Sequence, residues 1–211
     1  MWDSVAWTSY KFRIPQGMLP PVRLRPLCPD DLDVCHEIYR RNESDHFPPG
    51  FFERFCRRLT SEQVLFIVAE QEAKVVGFGG VTLHPVPGQY SVSLSFGMVH
   101  PNSQRQGIGT VLFLARLSAL PTPGKAYTLT MSPIANSQTF YRKFGFGFIR
   151  SYRDTVSADR FDLFGLIIRA PDLQKCRDKL AASGVVLEIH RPVPVVGITK
   201  SEDGMYRVSE D

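Results

Sequence analysis

Two glycines one residue apart close the string Gln104-Arg105-Gln106-Gly107-Ile108-Gly109-Thr110, which stands between an alternating apolar run and a helix-length apolar run. The chemistry open to such a junction is anion binding. The first turn of a helix offers unpaired N–H groups and about half a unit of positive charge, enough to hold a pyrophosphate. Gly107 and Gly109 keep side chains out of the way of phosphate oxygens, and Arg105 adds a fixed charge at the rim. Two glycines at a strand–helix turn are also compatible with a purely structural turn. The string is neither a Walker A loop, which ends Gly-Lys-Ser/Thr, nor G-x-G-x-x-G, because Leu112 stands where a third small residue belongs.

The elements around this loop are legible from periodicity. Residues 90–99 alternate, with Val92, Leu94 and Phe96 on one face and Ser91, Ser93 and Ser95 on the other. Gly97 interrupts the alternation and marks a bulge, after which Met98 and Val99 resume out of phase. The run 107–120 is apolar nearly all round and predicts a buried helix. Strands are expected at 22–25, 64–69, 75–83, 125–131, 146–152 and 161–169, and helices from Pro29, over 51–59 and over 136–144. In the first helix Leu32, Cys35, His36, Ile38 and Tyr39 fall at helical spacing. A further helix at 171–183, striped by Leu173, Cys176 and Leu180, precedes short strand-like runs at 185–190, 193–199 and 205–208. The order predicts an α/β (α+β) fold, a mixed sheet flanked by helices. Residues 1–21, with Trp2, Trp7, Tyr10 and Phe12 before several prolines, read as an extended arm; 22–169 form the main domain and 170–211 an extension.

The wider string Met98-Val99-His100-Pro101-Asn102-Ser103-Gln104-Arg105-Gln106-Gly107-Ile108-Gly109 closely resembles the acyl-CoA signature of the GNAT N-acyltransferase superfamily. That signature is a strand ending Val-x-Pro, three variable positions, then Q/R-x-x-G-x-G/A. Downstream, Tyr141-Arg142-Lys143-Phe144-Gly145-Phe146 resembles the family's Tyr-x-x-x-Gly-Phe segment. The resemblance covers residues 22–169 and implies a mostly antiparallel sheet whose bulged central strand splays from its neighbour.

It also implies roles. The pantetheine arm of acetyl-CoA would lie in the splay against the backbone of Gly97, Met98 and Val99. Gln104, Arg105, Gln106, Gly107, Ile108, Gly109 and Thr110 would hold the pyrophosphate, a backbone N–H near the bulge would polarise the thioester carbonyl, and Tyr141 would be the general acid. Asn136 would bond the pantetheine, although the family's frequent Asn lies seven residues before the Tyr, where this chain has Ile134; a helix N-cap is the other reading of Asn136. Histone-type relatives place a glutamate base where this chain has Ser93, and serine cannot deprotonate an ammonium ion. Glu70, His84, Asp45, His46 and Glu53 are the remaining candidates for the base. The acceptor pocket of such a fold lies between loops corresponding to 42–52 and 153–160. The first brings Asp45, Phe47 and Phe51, with Glu43, Phe52 and Glu53, to receive an amine, unless the three phenylalanines only pack the short helix on the sheet; Ser93 is a further candidate contact. The second carries Arg150, Arg153 and Arg160, which suit an acidic substrate or the 3′-phosphate of CoA, so the substrate stays open.

Composition sets the outer limits. The chain has 211 residues, 43% hydrophobic and 22% charged, the ordinary globular range. Its apolar runs fall short of the ~18 residues of a membrane span. The balance of 25 Lys+Arg against 21 Asp+Glu gives +4 without a basic tail, which suits an anionic small ligand as well as a nucleic acid and by itself decides nothing. Without interleaved basic and aromatic stripes nucleic acid is not an expected partner, and neither is a membrane. Cys28, Cys35, Cys56 and Cys176 lack ligand spacing and read as buried free thiols, which with no secretory signal points to a cytoplasmic setting. The tail faintly resembles half of a glyoxalase-type (vicinal oxygen chelate) module, but Glu188 and His190 alone do not make a metal site; a lid or a homodimer contact through sheet extension is the expectation. Together these readings point to an N-acetyltransferase that uses acetyl-CoA and no metal, acting on a small-molecule or peptide amine. The alternative is a non-catalytic acyl-CoA-binding module of regulation or assembly.

Overall fold

The computed structural model describes residues 10–42, 47, 50–86, 89–122, 124, 126–133, 135–153, 160–200 and 206–208. Trp2, Trp7, Glu43, Asp45 and His46 lie outside them. The order of elements is the one expected: β1 (Arg23–Pro26), α1 (Leu32–Asn42), α2 (Phe51–Leu59), β2 (Leu65–Gln71), β3 (Lys74–Val86), β4 (Gln89–Val99), α3 (Ile108–Ser118), β5 (Ala126–Met131), α4 (Ala135–Arg142), β6 (Gly147–Arg153), β7 (Arg160–Arg169), α5 (Ala170–Ala182), β8 (Val186–Leu187), β9 (Ile198–Lys200) and β10 (Tyr206–Val208). The main sheet runs β6-β7-β5-β4-β3-β2-β1-β8, and β9 and β10 form a separate pair. Only β4/β5 and β1/β8 are parallel among the paired strands described.

The sheet has an apolar cluster on each face, fed by alternation along the strands. In β2, Leu65, Ile67 and Ala69 join α3 and α5, while Phe66 and Val68 join α1 and α2. Residues Cys35, Ile38 and Tyr39 of α1, at helical spacing, are fully buried in the second cluster. Leu173, Cys176 and Leu180 of α5 are the stripe that meets the first, and Gly184, at φ +67°, stops the helix. Arg177 on the same helix donates to the carbonyl oxygens of Ser118 (3.3 Å) and Leu120 (2.8 Å), which closes the C-terminal end of α3. Cys35 and Cys176 are buried, and burial pushes both thiols up to about 12. Cys28 and Cys56 are only half-buried, a correction to the expectation that all four are interior.

Where β1 gives way to α1, an ion-pair network fixes the sheet edge. Arg25 binds Asp31 with both Nη atoms (2.6 and 2.8 Å) and reaches Glu70 through Nε (2.9 Å) and Nη2 (2.6 Å). Arg23 joins Glu70 (3.1 Å) to Glu188 (2.7 Å), just beyond β8. Burial opposes ionisation of Asp31, but hydrogen bonds from Arg25 and from Cys28 outweigh it and hold the carboxyl below its ordinary value. A lowered folded-state value means stability that is complete above the ordinary carboxylate value and lost as pH falls below it through the lower folded-state value. Asp31→Asn is therefore expected to cost about 2–3 kcal/mol at pH 7, because Arg25 loses a charged partner inside the fold. Urea unfolding of both proteins should give midpoints that begin to converge as pH falls below about 4 and meet only below the lowered folded-state value of Asp31.

Candidate functional site

The anion cradle forms at the top of β4. After Val99 the chain makes a tight 3-10 turn over Pro101–Ser103, and Arg105 (φ +63°) and Gly107 (φ +88°) both turn left-handed before α3 begins. Backbone of alternating hand makes a concave row of N–H groups, which is how a chain surrounds an anion. The first helical bond is Val111 N–H to Gly107 O, 3.0 Å, so the amides of Ile108, Gly109 and Thr110 precede it. Gly107 suits its position because a residue with a Cβ is strained at that φ. Gln104 holds the loop in place. Its Nε2 donates to Asn42 Oδ1 (2.9 Å) and to Val99 O (3.2 Å), while Asn42 Nδ2 donates to Val99 O (3.1 Å). Asn42, at the end of α1, is a site residue that sequence reasoning missed. Gln106 Nε2 bonds back to Asn102 O, 3.1 Å.

Below the cradle the sheet opens. β4 pairs with β5 only from Tyr90 to Ser93, against Tyr127 to Thr130. Its upper half, with Gly97 exposed and Met98 and Val99 beyond, has no described partner on that side. The bulge lies one residue earlier than expected. Phe96 takes φ +43°, and Phe96 and Gly97 together face Gly79 of β3. Phe96 consequently leaves the face shared by Val92 and Leu94 and joins Met98 in the α1–α2 cluster. The alternation assigned to Phe96 from sequence is thus corrected by a non-glycine residue in a conformation such residues seldom adopt.

Tyr141 lies in α4, 8% exposed, among the rings of Phe140, Phe146 and Phe113 at 5.0, 5.6 and 6.1 Å. Phe140 also stands against Gly109, so α4 and the cradle are neighbours. Asn136 is inside the first turn of α4 rather than its N-cap; its side chain is outside the described part. Ser93, half-buried on β4, pairs with Thr82 on one side and Thr130 on the other.

On the opposite face a row of rings joins the two loops expected to hold the acceptor. Phe47 lies 6.1 Å from Phe51, Phe51 stacks on Phe161 of β7 at 6.0 Å, and Phe161 lies 6.0 Å from Tyr152 of β6. Tyr152 OH is 2.9 Å from Ser132 Oγ at the end of β5. Phe52 instead packs inward on Tyr39 and Phe55 and lies under Arg40. Phe47 packs on Tyr39 (5.4 Å) as well as on Phe51, so the row that links the two expected loops is Phe47, Phe51, Phe161 and Tyr152, the last two of which sequence reasoning missed. Arg160 bonds Ser151 Oγ at 3.2 Å.

Two candidate bases prove to be committed elsewhere. Glu70 receives both Arg23 and Arg25 at the far edge of the sheet. His84 is buried with Nδ1 3.0 Å from Val196 O; burial lowers its pKa, so the neutral ring donating that bond is favoured. Glu188 is likewise held by Arg23, and the described residues include no group of three or more metal-ligating side chains. No described helix is long and apolar enough to cross a membrane.

A mostly antiparallel sheet whose central parallel pair, β4 and β5, parts toward a bulge and is followed by a glycine-rich helix start is the GNAT fold. The chain belongs to the GNAT acetyltransferase family, whose model, described as an acetyltransferase (GNAT) domain, matches residues 36–157. Solved structures of similar fold include NAA60 of Arabidopsis thaliana in complex with a bisubstrate analogue (17% identity, 70% of this chain and 99% of that one, TM-score 0.54). Another is the GCN5-related N-acetyltransferase, aminotransferase class-II, of Rhodopseudomonas palustris (17%, 73% and 100%, TM-score 0.50). A third is the ribosomal-protein-S18-alanine N-acetyltransferase of Escherichia coli (21%, 69% and 93%, TM-score 0.49). No curated protein sequence matches the chain.

Proposed function

We propose that this protein transfers an acetyl group from acetyl-CoA to a primary amine by direct attack in a ternary complex. The observation that carries the reading is the pairing of the cradle at Arg105–Thr110 with the unpaired upper edge of β4 directly beside it. An extended pantetheine amide needs a strand edge to bond, and a pyrophosphate needs a helix start; the two are adjacent here. The amine nitrogen attacks the thioester carbon, whose oxygen takes up charge beside a backbone N–H of the bulge. The C–S bond then breaks, and the sulfur takes a proton from Tyr141, which recovers one from water. The amine's own proton leaves to solvent, since Ser93 is no base. The acceptor is a small-molecule or peptide amine entering past Phe47, Phe51 and Phe161.

The second reading, an acyl-CoA-binding module without turnover, is favoured by Ser93 and by the commitment of Glu70 and His84 to structural bonds. Calorimetric titration with acetyl-CoA, CoA and adenosine, followed by an amine panel read by thiol release, separates the two. The expected result is micromolar binding that adenosine does not reproduce, with thiol released by at least one amine. Binding without release from any amine would transfer the assignment to the module, and absence of binding would remove both readings.

A further inference from the structure

Arg116 lies in the third turn of α3, 2% exposed, on a helix whose neighbouring positions are all buried. Its Nε donates to Leu112 O one turn back (3.1 Å), and its guanidinium carbon is 6.0 Å from the centre of the Phe113 ring. Nη1 has no hydrogen-bond partner among the described residues, and none of their ion pairs includes this side chain. A buried cation without a carboxylate is costly, whereas an apolar side chain of similar volume fills the same space without that cost. Such local breaches of packing logic are expected where a reaction needs them.

The direction of the side chain says which reaction. It runs up from α3 to the bulge and fills the room left by two absent Cβ atoms. A Cβ on Gly79 would lie 3.0 Å from Nε, and one on Gly97 would lie 3.1 Å from Nη2 and 3.2 Å from Nη1. Gly97 is itself exposed, on the stretch of β4 that has parted from β5. The buried guanidinium therefore lies directly against the backbone of Gly97, on the open stretch of the strand. We propose that Arg116 is a positioning residue whose uncompensated charge, held behind the bulge, stabilises the negative charge that builds on the thioester oxygen beside Gly97. This rests on the acyl-transfer reading above. A fixed charge acts strongly at such range because the interior is poorly polarisable and nothing has to reorganise as the reaction proceeds.

The test uses the full chain with Arg116→Met and Arg116→Lys. Turnover is measured with acetyl-CoA and an active amine, and affinity is compared for CoA and for S-carboxymethyl-CoA, which carries a carboxylate near the position of the thioester oxygen. Arg116→Met should lower kcat by about 10- to 100-fold and leave KM for acetyl-CoA and the affinity for CoA unchanged. It should also weaken S-carboxymethyl-CoA relative to CoA by about 10-fold, with Tm equal or higher. Arg116→Lys should restore most of both effects. A fall in Tm together with CoA affinity and kcat, not rescued by lysine, would make the residue structural and overturn the inference, as would an unchanged kcat and ligand ratio. A wild-type protein that binds neither ligand overturns the acyl-CoA reading itself. One that binds but never releases thiol overturns catalysis, while the ligand ratio still decides whether the charge acts at the β4 edge.

Discussion

Tyr141→Phe is expected to lower kcat by about 100- to 1,000-fold while leaving the affinity for CoA and the melting temperature near their original values. The ring has structural work to do, packed among Phe113, Phe140 and Phe146, and phenylalanine keeps those contacts. The hydroxyl is the only part removed, so any loss of rate reports the proton it supplies to the departing sulfur. Burial of an isosteric ring costs little, which keeps the stability term from contaminating the kinetic one. Stopped thiol release with normal CoA titration is the supporting result. An unchanged rate would reduce Tyr141 to a packing residue and place the acid elsewhere.

Gly109→Glu should have the second large effect, and with opposite signs on stability and binding. Gly109 belongs to the first turn of α3, and a Cβ there meets only ordinary contacts, with Phe140 at 3.6 Å and Val99 at 3.9 Å. Glutamate is a better helix former than glycine by about 0.5–1 kcal/mol and favours a helix N-terminus, so the folded protein should be as stable or more so. The same carboxylate stands where phosphate oxygens are expected, and repulsion at about 5 Å should weaken CoA about 100-fold. Raising the salt concentration should recover part of the loss. Gly109→Gln separates bulk from charge: if it weakens CoA as much as glutamate does, the site excludes side chains sterically and the electrostatic account of the cradle fails.

How much of this was legible in the residues depends on how local the cause is. The bounds of α2 follow from Gly50 and the spacing of Phe55 and Leu59, and the α5 stripe from three side chains at helical period. The β4 bulge was signalled by Gly97, yet the left-handed residue is Phe96, since the strain is imposed by the register against Gly79 and not by local preference. Contacts made across the chain left no trace. Asn42 meets Gln104 from 62 positions away, and Phe161 meets Phe51 only because the sheet brings β7 under α2. Arg116 is a case in which the sequence does carry a local signal. A helix apolar all round offers no solvent face to which a long cationic side chain can reach, so its arginine has to end inside.

The edge of the sheet ties the beginning of the fold to its end. β1 pairs with β2 on one side and, on the other, with β8, and Arg23 reaches Glu188 across 165 positions. The preceding segment does the same on the α3 face: Lys179 donates to Gly17 O, and Arg13 N–H to Phe144 O. During synthesis, then, the first strand leaves the ribosome long before its outer partner exists. At about 5–20 residues per second the wait lasts roughly ten to thirty seconds, through which one flank of the growing sheet stays unsatisfied. Closing so distant a pair also makes assembly slow relative to a fold of local contacts. The edge that waits is a surface on which a holding chaperone has time to act, and β8, made after every other strand of that sheet, is the one that ends the wait.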